Sequence, residues 1–113
     1  MRMILSVRFY VTSQGTEPVR DWLRSLSPHA RKAIGEDIKT VQYGWPLGMP
    51  IVRKIDAALW EVRSHIPAGI ARVLFTVEAS TIVLLLGFVK KSDKTPKAEL
   101  DTAKKRKQEV HHA

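Results

Sequence analysis

The chain contains no cysteine, so neither a disulfide nor a thiolate metal site can hold its fold together. This absence fits a reducing cytoplasm. No apolar run is long enough to span a bilayer, and the first residues alternate apolar with polar side chains, unlike a secretory signal peptide. These absences predict a cytoplasmic protein with no membrane partner.

Acidic residues are also scarce, with 11 Asp and Glu against 19 Lys and Arg, a net charge of +8. Residues 90–107 alone carry eight Lys or Arg and three Asp or Glu, which is 8 − 3 = +5. Clustered positive charge is typical of a nucleic-acid binder. The alternative is a solvated basic helix at the end of an ordinary domain.

The pattern of apolar residues predicts a single domain over residues 1–113. Residues 3–11 alternate as a half-buried strand does, and helix-start signals at Pro18 and Pro28 each precede a helical stripe. The second of these helices is expected to end near Gly44, and "GWPLGMP" to be an irregular connection. The remaining elements are predicted as strands at 59–66, 70–77 and 81–89, and a basic helix at about 96–109.

The predicted fold class is therefore α+β, in the order β-α-α-β-β-β-α. A small antiparallel sheet carries an N-terminal helical hairpin and a C-terminal helix, and we expect the helices to cover one face of the sheet.

Alternation along the predicted strands places Arg63 and Arg72 on the same open face, opposite the apolar residues. Glu61 and His65 share that face, and Glu61 is suited to pair with an arginine. Two adjacent lysines, Lys90 and Lys91, follow the last strand; they point to opposite faces, so one of them turns toward the arginines. Adjacent cations cost free energy unless they are solvated, paired or bound to an anion, so the set favours a phosphate site.

Four motifs occur in order: "LWEVR", "GIARVLF", "LLLGFVKK" and "KTP" followed by a basic helix. Together they resemble toxins of the RelE/ParE superfamily, and most closely the HigB-like, phage-related branch of type II toxin–antitoxin systems. The resemblance covers about half of the chain closely. It implies an endoribonuclease that cleaves mRNA on the ribosome, with a cognate antitoxin, often a helix-turn-helix protein from the adjacent gene. No metal-ligand cluster is visible in the sequence, so we expect neither a metal nor a cofactor.

Carried onto this chain, the resemblance assigns catalysis to the two motif arginines and the lysine pair: Arg63, Arg72, Lys90 and Lys91. RNA cleavage without a metal uses the 2′-hydroxyl as nucleophile, so the enzyme must bind the phosphate and move two protons. Arginine suits the phosphate because its planar fork binds two oxygens. A lysine serves in proton transfer when neighbouring positive charge lowers its pKa.

The expected RNA contacts are basic residues around the sheet and along the last helix: Lys54, His65, Lys94, Lys97, Lys104, Lys105 and Arg106. Lys54 is also a candidate second base, and His65 is a further candidate for proton transfer. The chain departs from many relatives at Leu86, where they carry histidine, so a mechanism that needs a histidine there is excluded. Two other functions stay open: a toxin of the same fold that inhibits a protein such as DNA gyrase, and a basic module without toxicity.

Overall fold

The structure is a computed structural model that describes residues 4–90 and 95–112, with Lys90 described by its backbone alone. It confirms the α+β class, with a five-stranded sheet and a C-terminal helix. In chain order the elements are β1 (Ser6–Phe9), α1 (Pro18–Arg24), α2 (Pro28–Gly44), β2 (Val52–Asp56), β3 (Leu59–Ile66), β4 (Gly69–Glu78), β5 (Thr81–Lys90) and α3 (Lys97–His112).

The sheet has the strand order β1-β5-β4-β3-β2. It is mixed, because β1 runs parallel to β5 while the other neighbouring pairs are antiparallel. The strand β2 was absent from the sequence-based order, since three of its five residues, Arg53, Lys54 and Asp56, are charged and it has no apolar alternation to detect. It forms the edge of the sheet beside β3.

Helices α1 and α2 pack on one face of the sheet, as the sequence predicts. Ser27 caps α2 by accepting a hydrogen bond from the backbone N–H of Ala30. Trp22 of α1 lies directly over Gly87 of β5, where an added Cβ would stand 2.3 Å from the indole. The main core lies here, and its fully buried members from the helices and the sheet include Ile34, Val41, Val62, Val73, Phe75, Ile82 and Leu84.

Helix α3 packs on the opposite face, so the expectation that the helices cover one face only is wrong. Ala103 is fully buried against Leu74, Val83 and Leu85 in a second, smaller core. The physical reason is that β4 and β5 carry apolar residues on both faces of the sheet. The apolar residues on the face away from α1 and α2 would be exposed to water unless α3 packed over them. No helix in the described part of the chain is both long and apolar enough to cross a membrane.

Candidate functional site

Arg63 of β3 and Arg72 of β4 are direct partners in the antiparallel register. Residues opposite each other in such a pair share a face, so the two guanidinium groups belong to the face that carries α3, as the alternation predicts. Glu61 lies two residues before Arg63 on that face, with its Oε1 3.6 Å from Nη1 of Arg72 and 3.9 Å from Nε of Arg63. One carboxylate therefore serves both arginines.

These three residues differ sharply in exposure. The side chains of Glu61 and Arg72 are 0% exposed, while that of Arg63 is 19% exposed. Thr95, just before α3, donates a hydrogen bond of 3.1 Å to Oε2 of Glu61 and so closes over the carboxylate. In this structure Arg63 is the arginine that reaches solvent, and Arg72 lies behind it. We call Glu61, Arg63, Arg72 and Thr95 the Glu61 cluster.

An open recess of about 230 Å³ adjoins the Glu61 cluster and is lined by Arg53, Lys54, Ile55 and Thr95. Lys54 lines this recess and pairs with Trp60 in the register of β2 and β3, and its role in RNA binding or proton transfer stays a prediction. Arg53, which the sequence analysis passed over, is exposed and stands directly opposite Glu61 in the register of β2 and β3. The position of Arg53 beside Glu61 follows only from the pairing of β2 with β3, because the residues around Arg53 show no apolar alternation that would predict a strand.

Among the expected site residues at the end of the sheet, His65 is exposed and pairs with Ile70. Lys90 ends β5 and is in register with the same Ile70, so its backbone reaches this end of the sheet. The side chain of Lys90, and all of Lys91 and Lys94, lie outside the described residues. That one of Lys90 and Lys91 faces the arginines therefore stays a prediction.

The basic residues of α3 divide into exposed and engaged side chains. Lys97 and Lys105 are exposed, and Lys97 forms a surface ion pair of 2.9 Å with Asp101. Lys104 lies 3.5 Å from Asp56 of β2. Arg106 donates a hydrogen bond of 2.7 Å to the carbonyl of Leu85, so it anchors the helix to the sheet.

A second set of contacts holds the end of α3 to Tyr10, just after β1, and to β4. The hydroxyl of Tyr10 donates to Oε2 of Glu109, and the guanidinium of Arg106 lies 5.2 Å from the centre of the Tyr10 ring. Burial raises the pKa of Tyr10, and the hydrogen bond to Glu109 raises it further. His111 also reaches the sheet, with Nε2 2.8 Å from Oγ1 of Thr76.

On its other side, α3 contacts the end of β2 through Asp56. The pKa of Asp56 is lowered, first by a hydrogen bond from the backbone of Ala57 and then by the charge of Lys104. Lys107 donates a hydrogen bond of 2.6 Å to the carbonyl of Ala57, so two lysines of α3 meet this turn. Within residues 4–90 and 95–112, no group of three or more His, Asp and Glu side chains could hold a metal ion.

Fold and site together define a small α+β protein with a sheet face built around paired arginines and a single carboxylate. Residues 21–108 match the family model described as Phage derived protein Gp49-like (DUF891). The match spans most of the chain, so the protein belongs to this phage-derived family of RelE/HigB-like toxins. A search of curated proteins found no match.

Proposed function

We propose that this protein is the toxin of a type II toxin–antitoxin system, in the HigB-like branch, and that it cleaves mRNA on the ribosome. The observation that carries the proposal is the cross-strand pair of Arg63 and Arg72, which concentrates two guanidinium groups beside a basic recess. Membership in the Gp49-like family supports the toxin class. With that class goes a cognate antitoxin, expected to be a helix-turn-helix protein from the adjacent gene.

The reaction uses the 2′-hydroxyl of the substrate as nucleophile. Its oxygen attacks the adjacent phosphorus while a base takes its proton; the bond from phosphorus to the 5′-oxygen breaks, and that oxygen takes up a proton. The products are a 2′,3′-cyclic phosphate and a free 5′-hydroxyl. The protein must therefore stabilise a phosphate that gains negative charge and supply two proton transfers.

Arg63 is the phosphate ligand in this proposal, because its side chain is the one of the pair that reaches solvent. Arg72 lies buried behind it and acts as a positioning residue: with Glu61 it fixes the guanidinium of Arg63 and adds positive charge at the site. Lys54 and Arg53 line the recess through which the RNA backbone passes.

Proton transfer is assigned to groups at the same end of the sheet. His65 lies two residues beyond Arg63 on the same face, about 7 Å along the strand, and is exposed. Lys90 or Lys91 is the other candidate. Separate His65→Ala, Lys90→Ala and Lys91→Ala variants identify the residue, since loss of the base costs about 10²-fold or more in cleavage rate.

Inducible expression in bacteria tests the proposal. We expect growth arrest, with transcripts cut inside translated codons when their 5′ ends are mapped. Arg63→Gln should abolish both effects, because it removes a charge-assisted phosphate contact worth about 10²-fold or more in rate. Arg20→Gln is the matched control, since Arg20 of α1 is an exposed arginine that forms an ion pair with Glu17, just before the helix.

Three outcomes would contradict the proposal. Arrest with intact mRNA and DNA-damage signalling would indicate gyrase inhibition instead. Absence of arrest would indicate a basic module without toxicity. Full toxicity of Arg63→Gln, with the purified variant folded by thermal unfolding, would show that the site lies elsewhere.

A further inference from the structure

A group of exposed basic side chains lies at the turn between α1 and α2, away from the Glu61 cluster. Residues 24–32 contain no Asp or Glu. Their four basic side chains are all exposed, and we call them the basic corner: Arg24, His29, Arg31 and Lys32. Within the described residues, none of the four makes a side-chain ion pair.

Helix stability explains Arg24, which lies in the last turn of α1, but it does not explain the placement of Arg31 and Lys32. Cations favour the C-terminal end of a helix and are repelled from the N-terminal end. Arg31 and Lys32 lie near the N-terminal end of α2, whose first turn contains no acidic residue. The last turn of α2 contains no basic residue, so the charge is distributed against the helix dipole. An anionic partner would offset that repulsion.

The basic corner and the Glu61 cluster lie at the same end of the sheet, on opposite faces. The far end of α2 is fixed beside the start of β1, where the N–H of Leu5 donates to the carbonyl of Gln42. With 17 residues at about 1.5 Å each, α2 returns its first residues to the end where β5 finishes. Trp22, two residues before Arg24, lies over Gly87 near that end. Arg72 pairs with Phe88, one residue beyond Gly87.

We propose that the basic corner is a second RNA-binding surface, which holds the phosphate backbone of the same RNA that reaches Arg63. An RNA phosphate chain fits better than an acidic protein, because protein interfaces are centred on buried apolar or aromatic anchors. The exposed large apolar residues of the described chain are Ile4, Val11, Tyr43 and Met49, and none belongs to the corner. Interfaces with nucleic acids are polar and strongly positive, as this surface is.

Binding of a fluorescently labelled hairpin RNA, fully 2′-O-methylated so that it cannot be cleaved, tests the inference. We compare Arg31→Gln/Lys32→Gln with the matched control Arg8→Gln/Lys39→Gln, since both pairs remove two exposed charges. The corner variant should lose about tenfold in affinity for RNA near 0.1 M salt. The negative slope of log K for RNA association against log[salt] should become shallower by about 1.5. The control should change affinity by no more than about twofold.

Thermal unfolding shows whether a loss of RNA affinity in the corner variant comes from a loss of folded structure. Removing Arg31 and Lys32 relieves repulsion at the start of α2, so the corner variant should unfold at the same temperature as the parent or higher. Combined with Arg63→Gln, its loss of affinity should add to that of Arg63→Gln, since one RNA contacts both surfaces without their touching.

Equal losses in the corner and control variants would overturn the inference, because they would reflect net charge alone. An unchanged RNA affinity would also overturn it, including the case in which the corner variant loses binding to an acidic protein partner instead. The inference rests on the proposed function only in taking RNA as the partner. If expression causes no arrest and no cleavage, the proposed function fails, while the binding isotherms still decide the role of the corner.

Discussion

At the scale of single residues, the site depends on one buried carboxylate that serves two arginines. Glu61 and Arg72 have no exposure, so their charges are stable only together. Glu61→Gln should therefore destabilise the protein by about 3 kcal/mol, because it leaves buried positive charge uncompensated. Urea denaturation measures the loss.

A double variant isolates the cause. In Glu61→Leu/Arg72→Met both buried charges are replaced by apolar groups, and it should be more stable than Glu61→Gln. Lys97→Gln, which breaks the exposed pair with Asp101, should leave the unfolding midpoint almost unchanged. A loss below about 1 kcal/mol for Glu61→Gln would mean that water already compensates the arginines.

Tyr10 supplies a prediction with a pH dependence. Its raised pKa means that the folded protein keeps the phenolic proton at a pH where the unfolded chain, with the ordinary value of 10.0, has lost it. The unfolded state then binds fewer protons, so stability is full below about pH 10 and falls as the pH rises above it. Tyr10→Phe should lose about 1 kcal/mol at neutral pH with the hydrogen bond to Glu109.

Unfolding midpoints measured between neutral pH and pH 11 compare the two proteins. The parent should lose more stability than Tyr10→Phe above pH 10, so their curves should converge there. If the midpoints of the parent and of Tyr10→Phe instead stayed the same distance apart at every pH, ionisation of Tyr10 would not be the cause of the loss of stability above pH 10.

At the scale of elements, the packing of α1 on β5 depends on a residue with no side chain. A Cβ at Gly87 would lie 2.3 Å from Cε3 and 2.5 Å from Cζ3 of Trp22, so Gly87→Ala forces α1 away from the sheet. We expect a destabilisation of about 2 kcal/mol, measured by thermal or urea unfolding. Adding Trp22→Leu to Gly87→Ala should recover part of it.

Gly35 is the internal control, because nothing lies within 4 Å of the Cβ that Gly35→Ala would add. Gly35 is in the interior of α2, so this substitution should stabilise the protein by about 0.5–1 kcal/mol. Equal effects of the two substitutions would contradict the close approach of Trp22.

The elements also show what the sequence could and could not predict. Period-two alternation placed Arg63 and Arg72 on one face, because β3 and β4 are regular and lie next to each other in the chain. The parallel pairing of β1 with β5 was not readable, since it joins segments separated by most of the chain. The burial of Arg72 was also unreadable, because Arg72 pairs with a buried Glu61 that Thr95, distant in the sequence, covers by a hydrogen bond.

Arg106 illustrates the same limit within one helix. The sequence groups it with neighbouring lysines as an RNA contact, but its hydrogen bond to Leu85 and its position over Tyr10 show that it holds α3 on the sheet. Helical spacing gives the face of a residue only when the docked side of the helix is known. The apolar side chains of α3, Leu100, Ala103 and Val110, do pack on the sheet, and Arg106 lies on the same side of the helix, three residues after Ala103.

At the scale of the whole molecule, the net charge of +8 opposes folding through repulsion among like charges. Among the described residues the attractive ion pairs are few and mostly at the surface, such as Arg20 with Glu17 and Lys97 with Asp101, so they offset little of this repulsion. Salt screens exposed charges over about 8 Å at physiological ionic strength, while it barely affects the buried pair of Glu61 and Arg72. We therefore expect the melting temperature to rise as sodium chloride is raised from about 0.01 M to about 0.3 M.

The corner variant Arg31→Gln/Lys32→Gln makes this prediction specific. It removes two of the repelling charges, so its melting temperature should rise less with salt than that of the parent. In urea at constant ionic strength, the corner variant and the parent should show no comparable difference in stability, because urea acts through the surface exposed on unfolding and not through charge. A melting temperature that falls with salt would contradict the prediction, because it would mean that screened attractions, including Lys104 with Asp56, outweigh the repulsion.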